Sequence, residues 1–207
     1  KACGAESVCV VVGHQAEQVQ QAIQDQDVCF ALQTERKGTG HAVKMAADFI
    51  EAQKDILILY GDTPLITAET LQAVLEAHNA AKNSVTVVSA MVDDATGYGR
   101  IIRDAAGNFI KSVEHKDATE TERAVKEINT GIYVFQGAAL QSALGRLQNN
   151  NAQGEYYLPD CLEILLQDGE RVGAYIAADE TEFFGVNSRV QLAEAADILK
   201  KRINRKH

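Results

Sequence analysis

Short runs of β-branched and aliphatic residues alternate with stretches of helical spacing along most of this chain. Strands that are apolar on both faces need helices on both sides, so the alternation predicts an α/β fold built on a mainly parallel sheet. Val8 to Val12 reads as a buried strand ending at Gly13, Glu17 to Gln24 as a helix, and Val28 to Leu32 as a second strand. Gly38-Thr39-Gly40 opens a helical stretch to about Ile50, and Ile56 to Leu59 is an apolar strand stopped by Gly61, Asp62 and Pro64. Thr67 is the expected N-cap of the next helix, although Thr70 stands where a capping-box acid belongs. Ser84 to Val92 is a further strand.

The rhythm changes between Tyr98 and Val113, where Arg100 to Arg103 and Phe109 to Val113 flank a turn at Asp104 to Asn108. This predicts an inserted antiparallel hairpin. Strands at Asn129 to Phe135 and Val172 to Ala177 follow, with helices near Ala138 to Leu147 and Pro159 to Gln167. A last helix runs from about Arg189 to Ile203 and ends in Lys200-Lys201-Arg202 and Arg205-Lys206, charges that suit the negative end of a helix dipole.

The formal charge of −9, with Lys and Arg scattered elsewhere, argues against a nucleic-acid partner. An acidic chain that binds phosphates must do so locally, through a metal ion and backbone NH groups. Cys3, Cys9, Cys29 and Cys161 form no Cys-x-x-Cys pair and read as buried free thiols of a reducing compartment. No apolar run approaches the roughly 20 residues that cross a bilayer, so no membrane association and a cytoplasmic location are expected.

Several segments carry candidate chemistry. The strand from Ile56 to Leu59 delivers Tyr60, Gly61 and Asp62 at its carboxyl end, where open α/β sheets bind ligands. Asp62 reads either as a Mg²⁺ ligand or as the start of a turn before Pro64. Gln33, Gly38 and Thr39 form either an ordinary helix entry or a place where NH groups, a hydroxyl and an amide meet a base or an anion. It is not a P-loop, because Lys37 precedes the glycines. Gly99, Glu114 and Asn129 sit beside strands, where they could bond the hydroxyls of a sugar, while Glu114-His115-Lys116-Asp117 also reads as a charged hairpin exit. Asn187 is an N-cap or an oxygen ligand for Mg²⁺.

Taken in order, and most specifically through Asn149-Asn150-Asn151-Ala152-Gln153-Gly154-Glu155-Tyr156-Tyr157-Leu158 and Glu114-His115-Lys116-Asp117-Ala118-Thr119, these segments resemble a known domain. It is the uridyltransferase (pyrophosphorylase) domain of bacterial bifunctional N-acetylglucosamine-1-phosphate uridyltransferase/glucosamine-1-phosphate acetyltransferases. The resemblance spans nearly the whole chain and implies a Rossmann-like nucleotidyltransferase fold. The implied reaction joins UTP to N-acetylglucosamine 1-phosphate, forming UDP-N-acetylglucosamine, a precursor of cell wall and lipopolysaccharide, and pyrophosphate.

The same resemblance implies that Gln33, Gly38 and Thr39 hold the uracil and its neighbourhood and that Asp62 and Asn187 ligate Mg²⁺. Tyr60, Gly61, Gly99, Glu114 and Asn129 become sugar-nucleotide contacts, with Glu155 and Tyr157 in the sugar pocket. The family opens with a strand and a glycine-rich loop of pattern Leu-x-x-Gly-x-Gly-Thr-x-Met followed by a catalytic Lys. Lys1-Ala2-Cys3-Gly4 aligns after that region, so the first strand, the loop and the catalytic residues are expected to be missing and the fragment inactive without them. Residues 1–188 correspond to a partial uridyltransferase domain and 189–207 to a connecting helix. The acetyltransferase β-helix, and the trimer it builds, are absent from this reading. A nucleotidyltransferase for another sugar phosphate and a non-catalytic sugar-nucleotide-binding module are the alternatives.

Overall fold

The computed structural model describes residues 2–24 and 26–206, without the side chains of 205 and 206. Lys1, and the Arg205 and Lys206 charges expected at the end of the last helix, lie outside the described residues. The elements are β1 (Cys9–Val12), α1 (Ala16–Ala22), β2 (Cys29–Leu32), α2 (Thr39–Met45), β3 (Asp55–Ile58), α3 (Ala68–Ala81), β4 (Val85–Met91), β5 (Arg100–Arg103), β6 (Phe109–Val113), α4 (Glu120–Arg123), β7 (Glu127–Gln136), α5 (Gly137–Arg146), α6 (Asp160–Gln167), β8 (Val172–Ile176) and α7 (Arg189–Lys206). Short 3₁₀ turns occupy Ala47–Phe49 and Glu180–Phe183. The helix expected to run from Gly38 to Ile50 therefore breaks, into α2 and the first of these turns.

The α/β class is as expected, with a six-stranded sheet ordered β6-β5-β7-β4-β8 and β3 joined to β7. Its pairing is less parallel than the alternation suggests. β3, β4 and β5 each pair antiparallel with β7, and only β4 and β8 pair in parallel. β3, β4, β5 and β8 nevertheless share one direction, because each is related to β7 or to β4 in that sense. β7 is the long strand threaded against the grain between them. β1 and β2 form a separate parallel two-stranded sheet.

Both faces of the larger sheet are covered, which explains why β4 and β7 read as near-continuous apolar runs. Val85, Val87, Tyr133 and Phe135 pack on one face with Leu140, Leu144, Leu162 and Leu165 of α5 and α6. Val88, Ala90, Ile132 and Val134 pack on the other with Leu71 and Val74 of α3 and with Phe183. Each of the Val, Leu, Ile and Phe side chains removed from water here contributes about 1.5–3 kcal/mol. β3, in contrast, is half-buried rather than buried, with Asp55 exposed.

Two local devices shape the site. The register of β4 against β7 shifts between Val87 and Ser89, leaving Thr130 to Ile132 as a bulge on β7. Gly131 takes φ 80° there, and a Cβ on it would overlap the Tyr60 ring. The second device caps α3. Thr67 accepts a hydrogen bond from the Thr70 NH at 3.2 Å, as its N-cap position predicts. The acid missing from the local capping box is supplied from far along the chain by Glu182, whose carboxylate accepts the Thr67 NH at 3.0 Å.

The hairpin β5/β6 and its turn form as expected, with the Asp104 carboxylate accepting the NH groups of Ala106 and Asn108 at 2.9 and 2.8 Å. The cysteines depart from expectation. Only Cys161 is buried, Cys29 is exposed, and Cys3 and Cys9 are intermediate; Cys9 and Cys29 open β1 and β2, which lie outside the main sheet. No helix among the described residues is long and apolar enough to cross a membrane.

Candidate active site

A cleft of about 480 Å³ opens where the carboxyl end of β3, the turn before β5, the end of β6 and the β7 bulge converge. The segments 153–159 and 183–187 close its remaining sides. Thr39, Tyr60, Asp62, Gly99, Glu114, Asn129, Glu155, Tyr157 and Asn187 all line it. Gln33, Gly38 and Gly61 do not.

Gln33 and Gly38 stand behind Thr39. The Gln33 amide donates to the Gly38 carbonyl at 3.2 Å and lies 3.0 Å from His41 Nδ1. Gly38 adopts φ 100°, and a Cβ on it would come within 2.6 Å of the Tyr156 carbonyl. The Tyr156 NH bonds the Lys37 carbonyl and its carbonyl accepts the Gly40 NH, each at 2.8 Å. The Thr39 hydroxyl accepts the Leu158 NH at 3.1 Å. The Gly-Thr-Gly helix entry is thus stitched to the 155–158 segment, which brings Thr39 and Tyr157 to one cleft. Gly61 is exposed, and nothing lies within 4 Å of its Cβ position.

On the strand side, Thr63 Oγ1 bonds the Tyr60 carbonyl at 3.0 Å, which fixes the turn that carries Asp62. The Val186 NH bonds the Asp62 carbonyl at 2.8 Å. A Cβ on Gly185 would lie 3.3 Å from Asp62 Oδ2 and 3.3 Å from Asn187 Nδ2, so the carboxylate and the amide flank one glycine. Asn187 is not the N-cap of α7. Ser188 takes that role, its hydroxyl accepting the Gln191 NH at 3.2 Å, while the Asn187 NH donates to Gln191 Oε1 at 2.8 Å. This leaves the Asn187 side chain for the cleft.

Asn129 differs from a free polar contact. Its amide donates to Ser112 Oγ at 3.0 Å and accepts from the Gly131 NH at 2.9 Å, and it bonds the Tyr133 hydroxyl at 2.8 Å. Three of its four hydrogen-bonding positions are thus used inside the protein. Its backbone NH bonds the Gly99 carbonyl at 2.9 Å, which holds Gly99 in the cleft wall next to Glu114, whose Oε1 would lie 3.3 Å from a Cβ on Gly99.

The electrostatics are one-sided. Asp62, Glu114 and Glu155 line the cleft, and among the described residues that line it there is no Lys or Arg. Burial raises the Glu114 carboxyl above the usual carboxylate range, and Asp117 adds to the shift. Asp160, just behind Pro159, is pushed up to about 6 by burial and then by Glu163, Glu114 and Asp117. Burial drives the Tyr60 phenol to about 12 against an opposing hydrogen bond with Thr39. A wall of this kind repels bare anions and favours a ligand that brings hydroxyls and a cation.

Thr63, Thr96, Tyr98, Gln153, Gly185 and Phe183 also line the cleft; Thr63, Tyr98, Gln153 and Gly185 lie in segments the sequence marks, but none of the six is named there as a site residue. Gln153 donates to the Tyr157 hydroxyl at 2.8 Å. Their entry depends on how loops from distant parts of the chain meet, for which no local spacing is diagnostic. Arg100 and His115, both in segments the sequence marks, stay behind the lip. Arg100 is only 2% exposed and donates to the carbonyls of Tyr98 and Arg123.

A mixed α/β sheet with its cleft at the strand ends, walled by carboxylates, amides and hydroxyls, defines a polar ligand site of the kind open α/β sheets carry. The chain belongs to the nucleotidyl transferase family, which it matches over residues 2–182. It is 51% identical over 204 residues to the bifunctional protein GlmU of Caldanaerobacter subterraneus subsp. tengcongensis, covering 99% of this chain and 44% of that protein. The bifunctional protein GlmU of a Geobacillus species is 52% identical over 205 residues, covering 99% of this chain and 44% of its own length. That of Clostridioides difficile is 46% identical over 207 residues, covering 100% and 45%. The chain spans less than half the length of these relatives.

Proposed function

We propose that this chain forms the sugar-nucleotide site of a uridyltransferase that joins UTP to N-acetylglucosamine 1-phosphate and releases pyrophosphate. The observation that carries the reading is the convergence of Asp62, Asn187, Glu114 and Gly99 on one cleft that has no Lys or Arg in its lining among the described residues.

The donor set suits a hard divalent cation. Asp62 brings a carboxylate, and the Asn187 amide presents its oxygen by rotating about its terminal bond. Among the described residues no group of three His, Cys, Asp or Glu gathers as a metal site. Two protein oxygens fit Mg²⁺, which keeps waters and substrate phosphates in its remaining positions. When bound, Mg²⁺ supplies the positive charge that this acidic cleft lacks and that phosphoryl transfer requires.

The chain's own residues bind and orient. Thr39, backed by Gln33 and Gly38, faces the base, and Tyr60 forms the floor beneath the sugar nucleotide. Glu114 accepts a hydroxyl hydrogen and the Gly99 NH donates, so a sugar lacking the matching group leaves a half-buried carboxylate unpaired. Tyr157 and Glu155 close the sugar end. Attack of the sugar phosphate on the α-phosphorus needs no protein nucleophile, only the alignment of the two substrates.

Calorimetric titration of UDP-N-acetylglucosamine in the presence of Mg²⁺ tests this reading against UDP-glucose and dTDP-glucose. Tighter binding of the first is expected. Equal or tighter binding of dTDP-glucose defeats the assignment.

A further inference from the structure

Cys9 begins β1 and Cys29 begins β2, and the parallel pairing sets the two directly opposite one another. Directly opposed residues on adjacent strands project to the same face, with the strands about 4.8 Å apart. Both thiols are free; Cys29 is exposed and Cys9 partly so. The Cys9 thiol is held above its usual range by burial first and by Cys29 second, so the two groups are within electrostatic reach. The other cysteines stand apart, Cys161 fully buried on α6 where it faces the core and Cys3 packed against the α3 side.

We propose that Cys9 and Cys29 form a dithiol site that takes one ligand satisfied by two sulfurs, a trivalent organoarsenical being the chemical class that fits. A zinc site is not built here, since it requires further ligands and no group of three His, Cys, Asp or Glu gathers as a metal site among the described residues. A direct disulfide must draw the sulfurs to about 2.0 Å. One bridging atom between them relaxes that demand and leaves the strand spacing as it is.

The chemistry balances without an oxidant. An arsenoxide exchanges its oxygen for the two sulfurs, each thiol gives up its proton, and the oxygen leaves as water while arsenic stays trivalent. The site lies at the opening end of both strands, whereas Gly13 and Gln33 follow their closing ends. The ligand therefore ties β1 to β2 without entering the cleft, and the proposal is independent of the reaction assigned above.

The test is native mass spectrometry of the full 207-residue chain with phenylarsine oxide. One arsenical per chain is expected, resistant to excess monothiol and released by a dithiol. Cys9→Ser and Cys29→Ser each abolish that resistant adduct, and Cys3→Ser and Cys161→Ser retain it. In the parent chain, the adduct shields Cys9 and Cys29 from alkylation by iodoacetamide, a readout that needs no variant. No adduct, an adduct that a monothiol removes, an adduct kept in either single variant, or unshielded Cys9 and Cys29 overturns the proposal.

Discussion

Asp62 and Asn187, which belong to opposite halves of the chain, flank Gly185 with their side-chain heads 3.3 Å from the same Cβ position. Their main chains are tied as well, through the hydrogen bond of 2.8 Å from the Val186 NH to the Asp62 carbonyl. The glycine gives both heads room: a Cβ at 185 would press on each of them closely enough that they would have to yield by a few tenths of an ångström.

Replacing either head removes half of the oxygen donors offered to a cation. Asp62→Ala and Asn187→Ala should each lose the magnesium dependence of UDP-N-acetylglucosamine binding. Where turnover is measured, it should fall about 10²–10³-fold, the usual loss when one preorganised electrostatic group is removed. Cys161→Ala, in the core away from the cleft, should leave both nearly unchanged. Calorimetry with and without Mg²⁺, and pyrophosphate release, read the difference. Equal behaviour of the Asp62 and Cys161 variants would refute the assignment.

Gly131→Ala is expected to destabilise the fold by about 1–3 kcal/mol, since it combines a left-handed backbone with an overlap on the Tyr60 ring. Tyr60 must then shift, so sugar-nucleotide affinity should fall together with the urea midpoint. A stable variant with unaltered affinity would show that the bulge does not position Tyr60.

Glu182→Gln keeps the shape of the remote cap of α3 but removes the charge that accepts from the Thr67 NH and hydroxyl at 3.0–3.2 Å. A loss of about 1–2 kcal/mol in chemical unfolding is expected, as for other N-terminal caps, with Glu182→Ala at the upper end. No change in either variant would mean that Thr67 alone caps the helix.

His78 is 1% exposed, with Nδ1 2.9 Å from Thr86 Oγ1 and Nε2 3.8 Å from Asp55 Oδ1. Burial lowers its pKa below the ordinary 6.5, against the opposing pull of Asp55. Above that value the imidazole is neutral in both states and its stabilising contribution is intact. As the pH falls through it the unfolded chain takes up a proton that the folded chain refuses, so stability declines. The slope of unfolding free energy between about pH 7.5 and 5.5 should be shallower in His78→Gln than in the parent. An identical slope in the two would remove His78 from the account.

Strand and helix alternation, the β5/β6 hairpin with its Asp104 turn, the N-cap at Thr67 and the strand-tip position of Asp62 were all legible in the sequence. They rest on side-chain period and turn chemistry, which act over a few residues. Gln33, Gly38 and Gly61 lie outside the cleft lining, a placement no local pattern reveals, because a sequence motif does not distinguish a residue that lines a cleft from one that stands behind it.

What the sequence by itself determined is therefore the α/β class, the identity of most segments and the chemical character of the groups near the strand ends. Only the tertiary structure decided that β7 runs antiparallel between β3 and β4, that Glu182 caps a helix far from it in the chain, that Cys9 opposes Cys29, and that Asp62 and Asn187 flank one glycine. Each of these is a pairing between distant parts of the chain, selected by the burial of both sheet faces together, and no local period encodes which strand or loop becomes the neighbour.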